Sequence, residues 1–150
     1  MTPVNGARLP GMLLAAAAAF SLGACQSKEG GPSSALSLQS KQSPSDAVTH
    51  IARVAQKCWF QSKDAAFSGY RLAAEVNSYA GRPRFLLVPR KNPGGLPELV
   101  VQAEKRGDSA SGSYTGVETY GPLLSGPHGK RITGDVERWA NGSSDCSATA

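Results

Sequence analysis

Five side chains carry the chemistry that most often makes a site: the cysteines Cys25, Cys58 and Cys146 and the histidines His50 and His128. A thiol can be acylated, be oxidised to a disulfide, ligate a metal or attack a carbonyl, and a histidine is the usual base for such an attack. Spacing removes most of these options. His50 and Cys58 are eight residues apart, about 12 Å of rise on one helix, so they do not form a Cys–His pair. His128 lies in the turn-like Gly126-Pro127-His128-Gly129 with Asp135 downstream, yet no Gly-x-Ser-x-Gly elbow marks a serine as nucleophile. There is no Cys-x-x-Cys, and two isolated histidines make no ligand cluster. The expectation is a non-catalytic protein with no metal and no cofactor; a hydrolase using His128 is the minor alternative.

The elements that hold these residues must come from 150 residues, enough for one domain. Charged residues are 18% of the chain, and 17 Gly with 10 Pro make it turn-rich. That composition argues against a long coiled coil, a helical bundle or a polytopic membrane protein and suits a small β or α+β domain.

The N-terminal stretch reads as an address. Arg8 is the only charge before Lys28, and Met12 to Leu22 is an apolar run of 11 residues. A membrane span needs about 20, so the run has the length of a signal-peptide hydrophobic region. The ending Leu22-Gly23-Ala24-Cys25 resembles the lipobox of bacterial lipoproteins. The resemblance implies that residues 1–24 are removed and that Cys25 is acylated, leaving the chain anchored in a membrane by lipid. Gln26 stands where the enteric sorting rule places Asp for inner-membrane retention, which implies the outer membrane, facing the periplasm. Residues 26–43, QSKEGGPSSALSLQSKQS, are Ser-rich with no aromatics and are expected to be a flexible tether. Residues 44–150 then form the folded domain.

With Cys25 assigned to lipid by that resemblance, Cys58 and Cys146 remain, and in an exported chain an even remainder argues for a disulfide. Closing a loop of about 89 residues removes roughly 4.6 kcal/mol of unfolded-chain entropy.

Ser43-Pro44-Ser45-Asp46 is a helix start, with Ser43 as N-cap and Pro44 in the first turn. Val48, Ile51, Ala55 and Cys58 make an apolar stripe that predicts a helix reaching Trp59 or Phe60. Beyond Asp64 the period changes. Strands are expected in Phe67–Tyr79, in Phe85–Val88, in Leu99–Ala103, in Tyr114–Tyr120 and in Arg131–Trp139, where Ile132, Gly134 and Val136 alternate with polar residues. Lys105–Ser113 and Gly121–Gly129 read as loops. The expected fold is α+β: one N-terminal helix on an antiparallel meander of about four to five strands, locked by a disulfide.

The net charge is +5, or +4 once Arg8 is lost with the signal peptide. No acid occurs between Val76 and Pro97, whereas Arg82, Arg84, Arg90 and Lys91 all do, with Lys130-Arg131 as further candidates. These residues mark either an anion-binding edge for an envelope component or a strand edge that charge keeps from aggregating. An exported, anchored protein is not expected to meet nucleic acid. Ser109-Ala110-Ser111-Gly112-Ser113-Tyr114 resembles the Ser-Gly-x-x-Tyr loop of membrane-bound inhibitors of c-type lysozyme, one residue short. That family's later aromatic-x-Lys-Gly segment is missing. The resemblance implies lysozyme inhibition as the alternative to the expected role, a binding or scaffolding module for an envelope component or envelope protein, with the hydrolase as second alternative. Arg106-Gly107-Asp108 is a tripeptide of integrin ligands, expected here by chance. Trp59, Phe60 and Trp139 read as core residues near the disulfide, and Leu123 and Leu124 either fold onto the core or form a partner patch.

Overall fold

The computed structural model describes residues 35–77, 81–108, 110 and 112–147. Cys25 and the signal-like segment lie outside the described residues. The elements are β1 (Leu36–Ser40), α1 (Pro44–Ala55), β2 (Tyr70–Glu75), β3 (Arg84–Pro89), β4 (Leu99–Asp108), β5 (Gly112–Tyr120) and α2 (Gly129–Ala140).

Helix α1 starts where its capping chemistry dictates. Ser43 is extended, its Oγ accepts the Asp46 amide hydrogen, and Pro44 occupies the first turn. The buried stripe is Ala47, Val48, Ile51, Ala52, Val54 and Ala55. The helix continues as a wider π-type turn, Gln56–Gln61, that buries Cys58 and Trp59. It is left through Lys63, whose φ of 59° is the left-handed conformation that ends helices.

The five strands form one antiparallel sheet in the order β1-β5-β4-β3-β2. Phe85, Leu87, Leu99, Val101, Ala103 and Val117 face the helices and are buried. Arg84, Gln102, Glu104 and Glu118 alternate with them and so occupy the other face, as the two-residue period of a strand requires. Both helices pack on the first face.

Several expectations need correction. Arg131–Trp139 is not a fifth strand; it is the body of α2. Ile132, Val136 and Trp139 recur at four and three residues, and all are fully buried. A short segment with apolar residues at i and i+4 satisfies the strand and helix periods alike, and packing decides between them. The fifth strand is β1, which lies inside the segment read as tether. Leu36 and Leu38 alternate with Ser37 and Gln39 and pair with β5 from Leu36↔Thr119 to Ser40↔Thr115. The helix is therefore not the first element, and the sheet is not a simple meander, because its first strand lies beside its last. The polar stretch Lys105–Ser113 is mostly strand as well, with β4 reaching Asp108 and β5 starting at Gly112.

Cys58 and Cys146 are joined as a disulfide, with Cα atoms 5.3 Å apart. The bond clamps the chain after α2 onto the end of the α1 helix. Beneath it, Trp59 stacks on Phe67 at 4.5 Å between centroids and meets Trp139 at 5.0 Å. Leu124 is buried and Leu123 packs on the core, so the two loop leucines fold back. Gly129 makes this possible: a Cβ there would stand 1.9 Å from the Leu124 carbonyl oxygen. No helix among the described residues is long and apolar enough to cross a membrane.

Candidate functional site

Strand β3 separates the four basic residues. Arg82 and Arg84 stand at its start, Arg90 and Lys91 just past its end. Arg82 pairs with Glu104 at 2.7 Å and Arg84 with Glu75 at 2.6 Å, while Arg90 Nε donates to the Ser68 carbonyl at 3.0 Å. Lys91 is exposed and lines a shallow cleft with Arg90, Tyr70 and Glu98. The partners Glu75 and Glu104 come from neighbouring strands, just outside the acid-free segment. A sequence window sees the cations, whereas the sheet register supplies their anions. Arg131 is likewise turned to Asp64, 20% exposed against 7% for the carboxylate side chain, while Lys130 stays exposed.

The outer sheet face carries a connected polar network. Arg106 pairs with Glu104 at 2.9 Å and with Glu118, Gln102 donates to Glu118 at 2.9 Å, and Tyr120 donates to Gln102 at 3.3 Å. Gly116, opposite Glu104, leaves the room: a Cβ there would stand 2.6 Å from Arg106 Cδ. The hydrogen bond from Gln102 and the pairing with Arg106 outweigh desolvation and hold the Glu118 carboxyl below its ordinary range. Hydrogen bonds to Glu118 and Glu104 in turn raise the Arg106 pKa. Charges matched this closely leave little field for a ligand. The Arg106-Gly107-Asp108 tripeptide is part of strand β4, with its arginine committed to this network.

A second polar cluster is buried beside the disulfide. Asp135 accepts from Trp59 Nε1 at 2.8 Å, pairs with Arg138 and lies 3.8 Å from Arg131. Arg131 also sits over the Phe67 ring, 5.6 Å from its centroid. Burial alone pushes the Asp64 carboxyl up, but the Arg131 and Ala66 hydrogen bonds together with the positive charge of Arg131 bring it below the ordinary value. The cluster joins α2 to the π-type turn and is structural in character.

The two histidines occupy different surroundings. His50 Nε2 donates to the Ser143 carbonyl at 2.9 Å, tying α1 to the chain after α2. His128 is exposed at the start of α2. Among the described residues, no three His, Cys, Asp or Glu side chains gather as a metal would need.

The larger cavity lies elsewhere. The β4–β5 hairpin outreaches β1, which stops pairing at Ser40↔Thr115, so Ser113 and Tyr114 lie beyond the end of the β1–β5 ladder. Between this overhang, the turn from β1 into α1 and the end of α2 is an open cleft of about 800 Å³. Gln39, Lys41, Lys105, Ser113, Tyr114 and Asn141 lie along it, and among the described residues no carboxylate does. Ser40 and Thr115 are buried at its floor. Tyr114 is 40% exposed. Of the segment that resembles a lysozyme-inhibitor loop, Ser109 and Ser111 lie outside the described residues, and Gly112 to Tyr114 are strand. Sequence reading missed the cleft because its residues come from three distant segments, none distinctive alone. Ser113 and Tyr114 stand out in the sequence for their loop motif, and Ser43 and Pro44 for the helix start, but nothing along the chain joins the two.

Comparisons with family models, with curated proteins and with solved structures return no match to this chain.

Proposed function

We propose that the chain is a lipid-anchored envelope protein, tethered through Cys25 to the periplasmic side of the outer membrane, and that its folded part is a non-catalytic binding module for an anionic envelope component. The observation that carries this reading is the Cys58–Cys146 disulfide. A bond of that kind persists in exported proteins and is rare where cellular thiols are kept reduced. An exported chain with an apolar run too short to span, ending on Leu22-Gly23-Ala24-Cys25, has a route to the membrane through acylation. The binding role is supported by an open cleft lined by Lys41 and Lys105.

The test is fractionation with lipid labelling in a Gram-negative host. The natural chain incorporates labelled fatty acid and sediments with membranes. Cys25→Ser loses the label and fails to fractionate as mature lipoprotein, while Cys146→Ser keeps both properties. An unlabelled natural chain overturns the anchor.

A further inference from the structure

We infer that two copies of this chain pair edge to edge through β2, antiparallel about a two-fold axis between their Ala73 residues, so that Arg71 of each copy meets Glu75 of the other. This goes beyond the binding role proposed for the domain and holds or fails without it.

Strand β2 ends the sheet, so one side of its backbone has no neighbouring strand. Gly69 turns its carbonyl to β3, where it accepts the Arg90 amide hydrogen at 2.9 Å. Backbone groups alternate in direction along a strand, so Arg71, Ala73 and Glu75 also face β3, while Tyr70, Leu72 and Ala74 aim their N–H and C=O groups outward. Natural edges are commonly defended by proline, lysine or a bulge. The β2 sequence, Tyr-Arg-Leu-Ala-Ala-Glu, pairs with β3 residue for residue and has none of these devices. The helices pack chiefly over the other strands, α1 on β3, β4 and β5 and α2 on β1 and β5.

Charge selects both the partner and the register. Only outward-facing residues can exchange hydrogen bonds across the new pair, so a symmetric pairing joins even-numbered positions to even-numbered ones. Centring it on Arg71 sets arginine against arginine, and centring it on Glu75 sets carboxylate against carboxylate. Centring on Leu72 or Ala74 leaves both charges opposite uncharged residues. Centring on Ala73 sets Arg71 opposite Glu75 twice, while Leu72 and Ala74 exchange backbone hydrogen bonds and Tyr70 lies opposite Val76. Opposite charges directly across a strand pair are favourable and like charges unfavourable. Arg71 and Glu75 share the helix-free face of the sheet. Arg71 is exposed and makes no ion pair among the described residues. Glu75 holds Arg84 through Oε2, which leaves Oε1 for a second cation. The strand thus complements itself, whereas β1, the other edge, carries no charge to set a register.

The test uses the purified full chain in a mild non-ionic detergent, with micelles in excess over protein and Cys58–Cys146 intact. Sedimentation equilibrium is expected to show a reversible monomer–dimer equilibrium of the weak class that a single strand pair supports, and monomer alone up to about 1 mM overturns the proposal. Arg71→Glu and Glu75→Lys are each expected to weaken self-association about tenfold. An equimolar mixture of the two is expected to recover it, because the mixed pair again sets opposite charges across both positions. Unchanged association in the single variants, or a mixture that fails to recover, overturns the charge pairing. Under mild oxidation Ala73→Cys is expected to give a disulfide-linked dimer, since facing residues of a non-hydrogen-bonded pair have Cα atoms about 4.5 Å apart. Ala74→Cys is more exposed, yet it is offset from its own copy by two residues and is expected to stay unlinked. Equal linkage at the two positions, or linkage at neither, overturns the register.

Discussion

The indole Nε1 of Trp59 donates a 2.8 Å hydrogen bond to Oδ2 of Asp135, with both residues fully buried and 76 positions apart in sequence. The carboxylate is held from three directions, by the indole, by Arg138 within α2 and by the more distant Arg131. A buried charge survives only with such partners. The contact thus fixes how α2 docks against the end of the α1 helix, directly under the disulfide.

Asp135→Ala is expected to destabilise the domain by about 3–5 kcal/mol, since it strands a buried indole donor and removes the carboxylate from two arginines. Trp59→Phe keeps most of the ring and loses the donor, with an expected cost of about 1–3 kcal/mol. The double variant should cost less than the sum, because the two changes share one interaction. Urea unfolding of the four proteins measures the coupling; strict additivity would show that the bond is energetically silent.

Breaking Cys58–Cys146, by reductant or as Cys146→Ser, is expected to cost about 2–5 kcal/mol. The residues after α2 should loosen first, since the disulfide, the Trp139 Nε1 bond to the Asp145 carbonyl and the His50 bond to the Ser143 carbonyl hold them. Hydrogen exchange should therefore quicken at the amides of Gly142 and Ser143 before those of β4. Uniform quickening across the sheet would contradict this order.

Acid should unfold the domain through Asp64 and Glu118. Both carboxyls lie below their ordinary pKa in the fold. Their contribution is therefore complete above the unfolded-state pKa, near 4, and is lost as pH falls through the lower folded values. Asp64→Asn and Glu118→Gln should each be less stable than the natural chain at neutral pH and converge with it in strong acid. Melting temperature followed from pH 7 down to about pH 2 tests the sign; curves that stay parallel would refute it.

Gly116→Ala is expected to cost about 1 kcal/mol by pushing the Arg106 side chain off its two glutamates, an effect of the size of a lost, partly exposed charged hydrogen bond. In an Arg106→Ala background the same substitution should be close to neutral, or favourable, since a strand glycine is otherwise a weakness. Thermal melts of the two pairs decide it.

Local chemistry made α1 and the β3 strand readable from the residues, and the pairing of Cys58 with Cys146 followed once the lipobox resemblance had set Cys25 aside. A cap of Ser43 and Pro44 with an apolar stripe behind it leaves a helix little alternative, and an apolar run between Pro83 and Pro89 is bounded at both ends. Other features depend on partners that sequence does not display. Leu36 to Ser40 becomes a strand because β5 offers an edge to pair with, and Ile132 to Trp139 becomes a helix because its stripe fits against Trp59 and the sheet. The apolar spacings in both segments are compatible with more than one conformation, so the energy of burial makes the choice. The same holds for charge. Arg82 and Arg84 look unopposed along the chain, yet the fold places Glu104 and Glu75 beside them, while Lys41 and Lys105, ordinary in sequence, line one cleft.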